Sequence, residues 1–144
     1  MSDRALSLAA AALALAGLAI SGYLTYVHYA GIEPVCAGGG GACERVQSSP
    51  YADLAGVPVA VLGLGGYLAI LASLVLPGQA GRSVTAFLAL AGFGFSGYLT
   101  YLELAVIEAI CQWCVASAVV MTVLAGVAVT RMVTADMALP TTRT

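Results

Sequence analysis

The sequence predicts an all-α membrane protein, a four-transmembrane-helix bundle with an extracytoplasmic loop that carries a short interfacial helix. Three observations predict it. Hydrophobic residues fill 61% of the 144 positions and charged residues only 8%, against roughly 25% charged in a soluble domain, so lipid must cover much of the surface. The apolar residues gather into four runs near the length, about 20 residues, that a helix needs to cross a bilayer. The runs are continuous rather than alternating, which points to helices as the way to satisfy the backbone in lipid.

The first span is Ala5–Val27, uncharged throughout. At 23 residues it is long for a cleaved signal peptide. The second, Val57–Leu76, opens on Val57-Pro58, and proline suits a first helical turn. The third, Val84–Ile107, holds one charge, Glu103. The fourth, Val115–Val133, is bounded by Arg131 and begins about a turn earlier, near Cys111. Between them lie the long loop His28–Gly56, a short turn Pro77–Ser83, and a connection of a few residues around Glu108–Ile110. The whole chain, residues 1–144, reads as one domain with spans at about 5–27, 57–76, 84–107 and 111–133.

Arginine sets the orientation, because lysine is absent. Arg4, Arg82, Arg131 and Arg143 fall on one side of a four-span topology and only Arg45 on the other. Both termini are therefore expected in the cytoplasm, with the long loop and the third-to-fourth connection outside. The net charge of −2 forms no basic patch, which argues against nucleic acid as a partner.

The chain repeats itself. Gly17–Cys36 and Gly92–Cys111, offset by 75 positions, agree at eleven of twenty residues. Ser21-Gly22-Tyr23-Leu24-Thr25-Tyr26 recurs as Ser96-Gly97-Tyr98-Leu99-Thr100-Tyr101, and Cys36 falls on Cys111. Two similar helix pairs are implied, with the first span part of the mature fold. Gly22 and Gly97, with their serine and threonine neighbours, suit close helix packing.

The four cysteines carry the chemistry. Cys36 and Cys43 flank the glycine run Gly38–Gly41 in the outer loop. Cys111-Gln112-Trp113-Cys114 is a C-x-x-C at the start of the fourth span, where both sulfurs share a helix face. A helix N-terminus favours thiolate and so raises reactivity. All four lie on the oxidising side. Three arrangements fit: a relay by thiol–disulfide exchange, two static disulfides bracing the loop, or a metal site of four thiolates.

The order of spans and cysteines, with Ser48-Ser49-Pro50-Tyr51 and Gly56-Val57-Pro58-Val59-Ala60-Val61-Leu62-Gly63, resembles bacterial homologues of vitamin K epoxide reductase (VKOR) over roughly residues 5–133. The resemblance implies a four-helix bundle around a quinone, ubiquinone or menaquinone, capped by the loop and its short helix. It implies that Cys36 exchanges with the dithiol of a partner, Cys43 pairs with Cys111 between loop and helix, and Cys114 passes electrons to the quinone. Ser49 matches a serine of the family's site. Its local pattern also reads as a helix N-cap, with Pro50 at the first helical position and Gly56 at the end. Tyr67 and Trp113 are the candidates to line the quinone, and no metal site is assigned. Many relatives carry a fused thioredoxin-like domain that this sequence lacks. The implied partner is thus a separate extracytoplasmic thioredoxin-fold protein of the DsbA kind, acting at the cell inner or plasma membrane. Four residues after the second C-x-x-C cysteine, where the animal enzymes have tyrosine, stands Ala118, which favours simple quinone reduction over epoxide reduction.

The tyrosines near the outer helix ends, with Trp113, read as an interfacial aromatic belt. His28 and its repeat partner Glu103 read as interfacial residues, with a proton-relay role as the alternative. The expected function is a membrane thiol oxidase that reduces quinone and supports disulfide formation. A DsbB-like bundle, with its C-x-x-C in the first outer loop, fits less well. A cysteine-based metal-binding or transport protein is the rival from another class.

Overall fold

A computed structural model describes residues 2–32, 50, 53–54 and 56–138. Its first helix, α1, runs Asp3–Ala30. The strands β1, Asp53–Leu54, and β2, Val57–Pro58, pair antiparallel. Helices α2, Val59–Val75, and α3, Gly78–Tyr101, follow. A π-helical stretch, Leu102–Ile107, extends α3, and α4 runs Gln112–Ala138. Three of these segments are long and apolar enough to cross a membrane; α2, with 17 residues, is shorter.

The helices close a ring in which α1 packs on α2 and α4, and α3 on α2 and α4. Its core is built from small residues, Ala10, Ala14, Ala86, Ala89, Ala125 and Ala128, around Tyr67, Ile70 and Leu124. Lipid supplies no hydrophobic drive between helices, so close backbone approach through small side chains gives the van der Waals contact that holds them. The repeat is visible in the structure. Thr25 Oγ1 donates to the Ser21 carbonyl at 2.7 Å, and Thr100 Oγ1 to the Ser96 carbonyl at 2.8 Å.

The close-packing glycines are not the expected ones. A Cβ on Gly97 would meet nothing within 4 Å, and one on Gly22 only Leu64 at ordinary contact distance. Within the repeat the tight positions lie one and a half turns earlier in each helix and form another repeat pair. Gly17 abuts the Tyr67 ring, and a Cβ on Gly92 would come within 2.8 Å of Met121. Gly22 and Gly97 share a sequence block with the contact positions but not their helix face.

Three boundaries also differ from expectation. Val57-Pro58 is extended, so α2 starts at Val59. The turn expected over Pro77–Ser83 shrinks to Leu76-Pro77, because Pro77 caps α3 and the chain is helical from Gly78. Pro50 lies in a 3₁₀ turn, but a helix reaching Gly56 is not formed. Asp53–Leu54 are extended instead, and Gly56 takes a left-handed φ of 84° in the turn to β2.

At one end of the bundle the Asp3 carboxylate accepts from Arg82 at 3.3 Å and Arg131 at 3.0 Å. That contact gathers the starts of α1 and α3 with the end of α4. Cys111 and Cys114, at the start of α4, therefore lie at the opposite end.

Candidate functional site

The site is built where α3 meets α4. The first repeat shows why this end differs from its twin. In α1 the helix stops at Gly31, which takes φ 69° and returns its N–H to the Val27 carbonyl. The equivalent position in the second repeat is Val106, and a β-branched residue resists the left-handed region. The helix instead widens into the π-helical stretch and stops two residues later, where Glu108 takes φ 57°. The Ala109 N–H then donates to the Glu103 carbonyl at 3.1 Å. Such π-helical insertions are frequent at functional sites.

This different ending separates the repeat partners His28 and Glu103. His28 stays exposed on regular helix, edge-on to the Tyr29 ring at 5.2 Å between centroids. Glu103 is only 4% exposed, and its Oε2 accepts the Cys111 backbone N–H at 3.2 Å. For Glu103 the interfacial expectation is therefore replaced by a buried one. Its carboxyl also hydrogen-bonds the Cys114 thiol.

Cys111 is fully buried just before α4, and Cys114 is half-buried in its first turn. The two sulfurs hydrogen-bond each other. The Cys114 thiol beside it draws the Cys111 pKa down to about 7 against the upward push of burial, helped by the N–H groups of Cys114 and Trp113. A thiol poised near neutrality is a good attacking and leaving group in disulfide exchange.

Beside this pair lies a cavity of about 170 Å³ lined from all four helices. Its walls are mostly apolar, including Leu24, Phe95 and Met121, and its polar points are few, chiefly Glu103, Tyr67, Ser117 and Cys114. The Tyr67 hydroxyl, buried by the ring's fit against Gly17, donates to the Ser117 carbonyl at 3.1 Å and lies 2.9 Å from Ser117 Oγ. An apolar cavity of about 150 Å³ accepts a benzene ring. The cavity volume suits a single flat ring, and the hydroxyls and carboxyl offer polar partners to its oxygens. A quinone headgroup has that chemistry, so the residues fit it.

Of the residues expected from sequence, the structure brings Cys114 and Tyr67 to the cavity wall, with Cys111 beside them. Trp113 is not among the lining residues; it packs on Tyr23 at 4.8 Å between centroids. Cys36, Cys43 and Ser49 lie outside the described residues. Sequence reasoning missed Ser117 and underrated Glu103. Ser117 was findable, since Cys114, Ser117, Ala118 and Met121 form one stripe at i, i+3, i+4 and i+7. Glu103 needed the widened helix turn.

The model of the vitamin K epoxide reductase family matches residues 8–129, a stretch that covers most of α1, all of α2 and α3, most of α4, the C-x-x-C and the cavity. By that match the chain belongs to the vitamin K epoxide reductase family.

Proposed function

We propose that this membrane oxidoreductase of the VKOR family is a four-span thiol oxidase. It takes electrons from a separate extracytoplasmic thioredoxin-fold protein and delivers them to ubiquinone or menaquinone, so that disulfides form in exported proteins. The observation that carries the proposal is the Cys111–Cys114 pair beside an apolar, ring-sized cavity whose wall includes Cys114. In the proposed route the partner's thiolate attacks the Cys36–Cys43 disulfide at Cys36, and the mixed disulfide resolves to leave the loop reduced. The Cys43 thiolate then attacks Cys111, breaking a Cys111–Cys114 disulfide and forming a Cys43–Cys111 bond. Cys36 resolves that bond and returns the loop disulfide, which leaves Cys111 and Cys114 as thiols.

Cys114, Tyr67, Ser117 and Glu103 would hold the quinone, which supplies the more oxidising couple by taking up two electrons and two protons. The protein's own tasks are separate from that. Cys111 works at the first position because its thiolate is accessible near neutral pH. Tyr67 is locked in place by Gly17 and Ser117, so the cavity is preformed. The arginine pattern supports a topology with both termini in the cytoplasm and the cysteines outside. Ser49 is assigned to the site beside the loop cysteines.

The test is electron transfer by purified protein from a reduced thioredoxin-fold donor to short-chain ubiquinone or menadione. Replacing Cys111 or Cys114 with Ser abolishes quinone reduction. Retained turnover in either variant rejects the route.

A further inference from the structure

The thiol oxidase route gives Glu103, a buried titratable group at the cavity, no part in moving protons. Glu103 is 4% exposed, yet it lies within an apolar span. Burying a carboxylate is costly unless it is paired or well hydrogen-bonded. Among the described residues the arginines contacting a carboxylate, Arg82 and Arg131, are at the other end of the bundle, on Asp3. Glu103 is held instead by two donors, the Cys111 N–H at 3.2 Å and the Cys114 thiol. Both contacts use carboxylate lone pairs, the capacity of the ionised form. Holding an N–H needs only an acceptor, which a glutamine provides without a charge. The contact with the Cys114 thiol, on the cavity wall, is what a charge would serve.

We propose that Glu103 is the proton acceptor for Cys114: as the Cys111–Cys114 disulfide closes, the Cys114 S–H bond breaks and its proton passes to the Glu103 carboxylate, which holds it at the cavity wall. This assignment rests on the proposed oxidase function. Closure forms one S–S bond, breaks two S–H bonds and releases two electrons and two protons. One proton goes from Cys114 to Glu103; the other leaves Cys111 for the aqueous side as its thiolate forms. The electrons and, in total, two protons match the demand of a quinone-class acceptor. Among the described residues the titratable groups of the cavity wall are Glu103, Cys114 and Tyr67, while α1 contributes Ile20, Ser21 and Leu24. Cys111 adds the remaining titratable contact, through its backbone.

The test compares the full-length wild type with Glu103→Gln and Glu103→Asp in detergent. Glutamine still accepts the Cys111 N–H, so that variant keeps the local fold; aspartate keeps the charge on a shorter arm. In the reduced, quinone-free protein, the infrared S–H band of Cys114 moves to higher frequency in Glu103→Gln, because the acceptor is weaker. Closure of the pair by diamide, which needs no quinone, slows in the same variant. With quinone, kcat falls about 100-fold, the lower range for a lost acid–base group. The acid limb of the kcat–pH profile changes shape, since the carboxylate that must be ionised to accept no longer contributes and the Cys111 thiol alone sets it. Glu103→Asp recovers part of the rate. An unchanged S–H band with an unchanged acid limb and diamide rate overturns the assignment and leaves Glu103 as a holder of the Cys111 amide. A wild type that reduces no quinone, while diamide closure still depends on Glu103, sinks the oxidase function and leaves the proton assignment standing.

Discussion

Adding one methyl group at Gly17 tests the packing that forms the cavity. A Cβ at this position runs into the Tyr67 ring, and the ring cannot swing aside freely. It is 1% exposed, and its hydroxyl is held by Ser117 at 2.9 Å and 3.1 Å. Overpacking of this kind costs about 1–3 kcal/mol. If the ring shifts far enough to lose Ser117, a buried hydrogen bond worth about 1 kcal/mol goes with it. Gly17→Ala is therefore expected to destabilise the bundle by about 2–4 kcal/mol, roughly a 30- to 1000-fold change in the folding equilibrium. Gly97→Ala is the internal control, because the added methyl meets open space and alanine is the better helix former. The assay is equilibrium unfolding in mixed micelles, followed by circular dichroism. Tyr67→Ala in the Gly17→Ala background is expected to cost less than the sum of the single changes, because it removes the clash partner. The reasoning is refuted if Gly17→Ala unfolds like wild type, or if Gly97→Ala is the more damaging of the two.

Two further outcomes follow from the C-x-x-C end. Disulfide exchange at Cys111 is expected to rise with pH through about 7 and level off above it, because the thiolate is the reacting form. Cys114→Ala removes the main donor to that sulfur and moves the midpoint upward, toward the ordinary thiol value; a midpoint that stays put in a stopped-flow exchange assay contradicts the role of the Cys114 thiol as that donor. At Glu108, the one described non-glycine residue with positive φ, Glu108→Val is expected to destabilise the protein because a β-branched side chain fits the left-handed region worse than glutamate does. Glu108→Gly is close to neutral, and equal unfolding midpoints for the two variants would show that the turn is not strained.

Composition alone determined that lipid is the main solvent, since 8% charged residues cannot cover a soluble surface. Run lengths located the helices to within a few residues. Their ends were misjudged at Val57-Pro58 and at Pro77–Ser83, where one proline lies in an extended pair and the other caps a helix. Proline fixes φ but does not say on which side of it the helix lies. The C-x-x-C was legible because its spacing is local. The repeat was legible too, but it misled about Gly22 and Gly97, since identity of sequence does not tell which face of a helix meets a neighbour.

What only the tertiary structure decided is how two near-identical segments end differently. Gly31 lets α1 stop, whereas Val106 forces a wider turn that carries Glu103 inward to Cys111 and Cys114. The cavity likewise depends on side chains from all four helices, with Tyr67 fixed by Gly17 on one helix and Ser117 on another. Hydropathy and spacing record each helix separately. Which side chains converge depends on helix rotation and contact, and those are settled when the bundle packs.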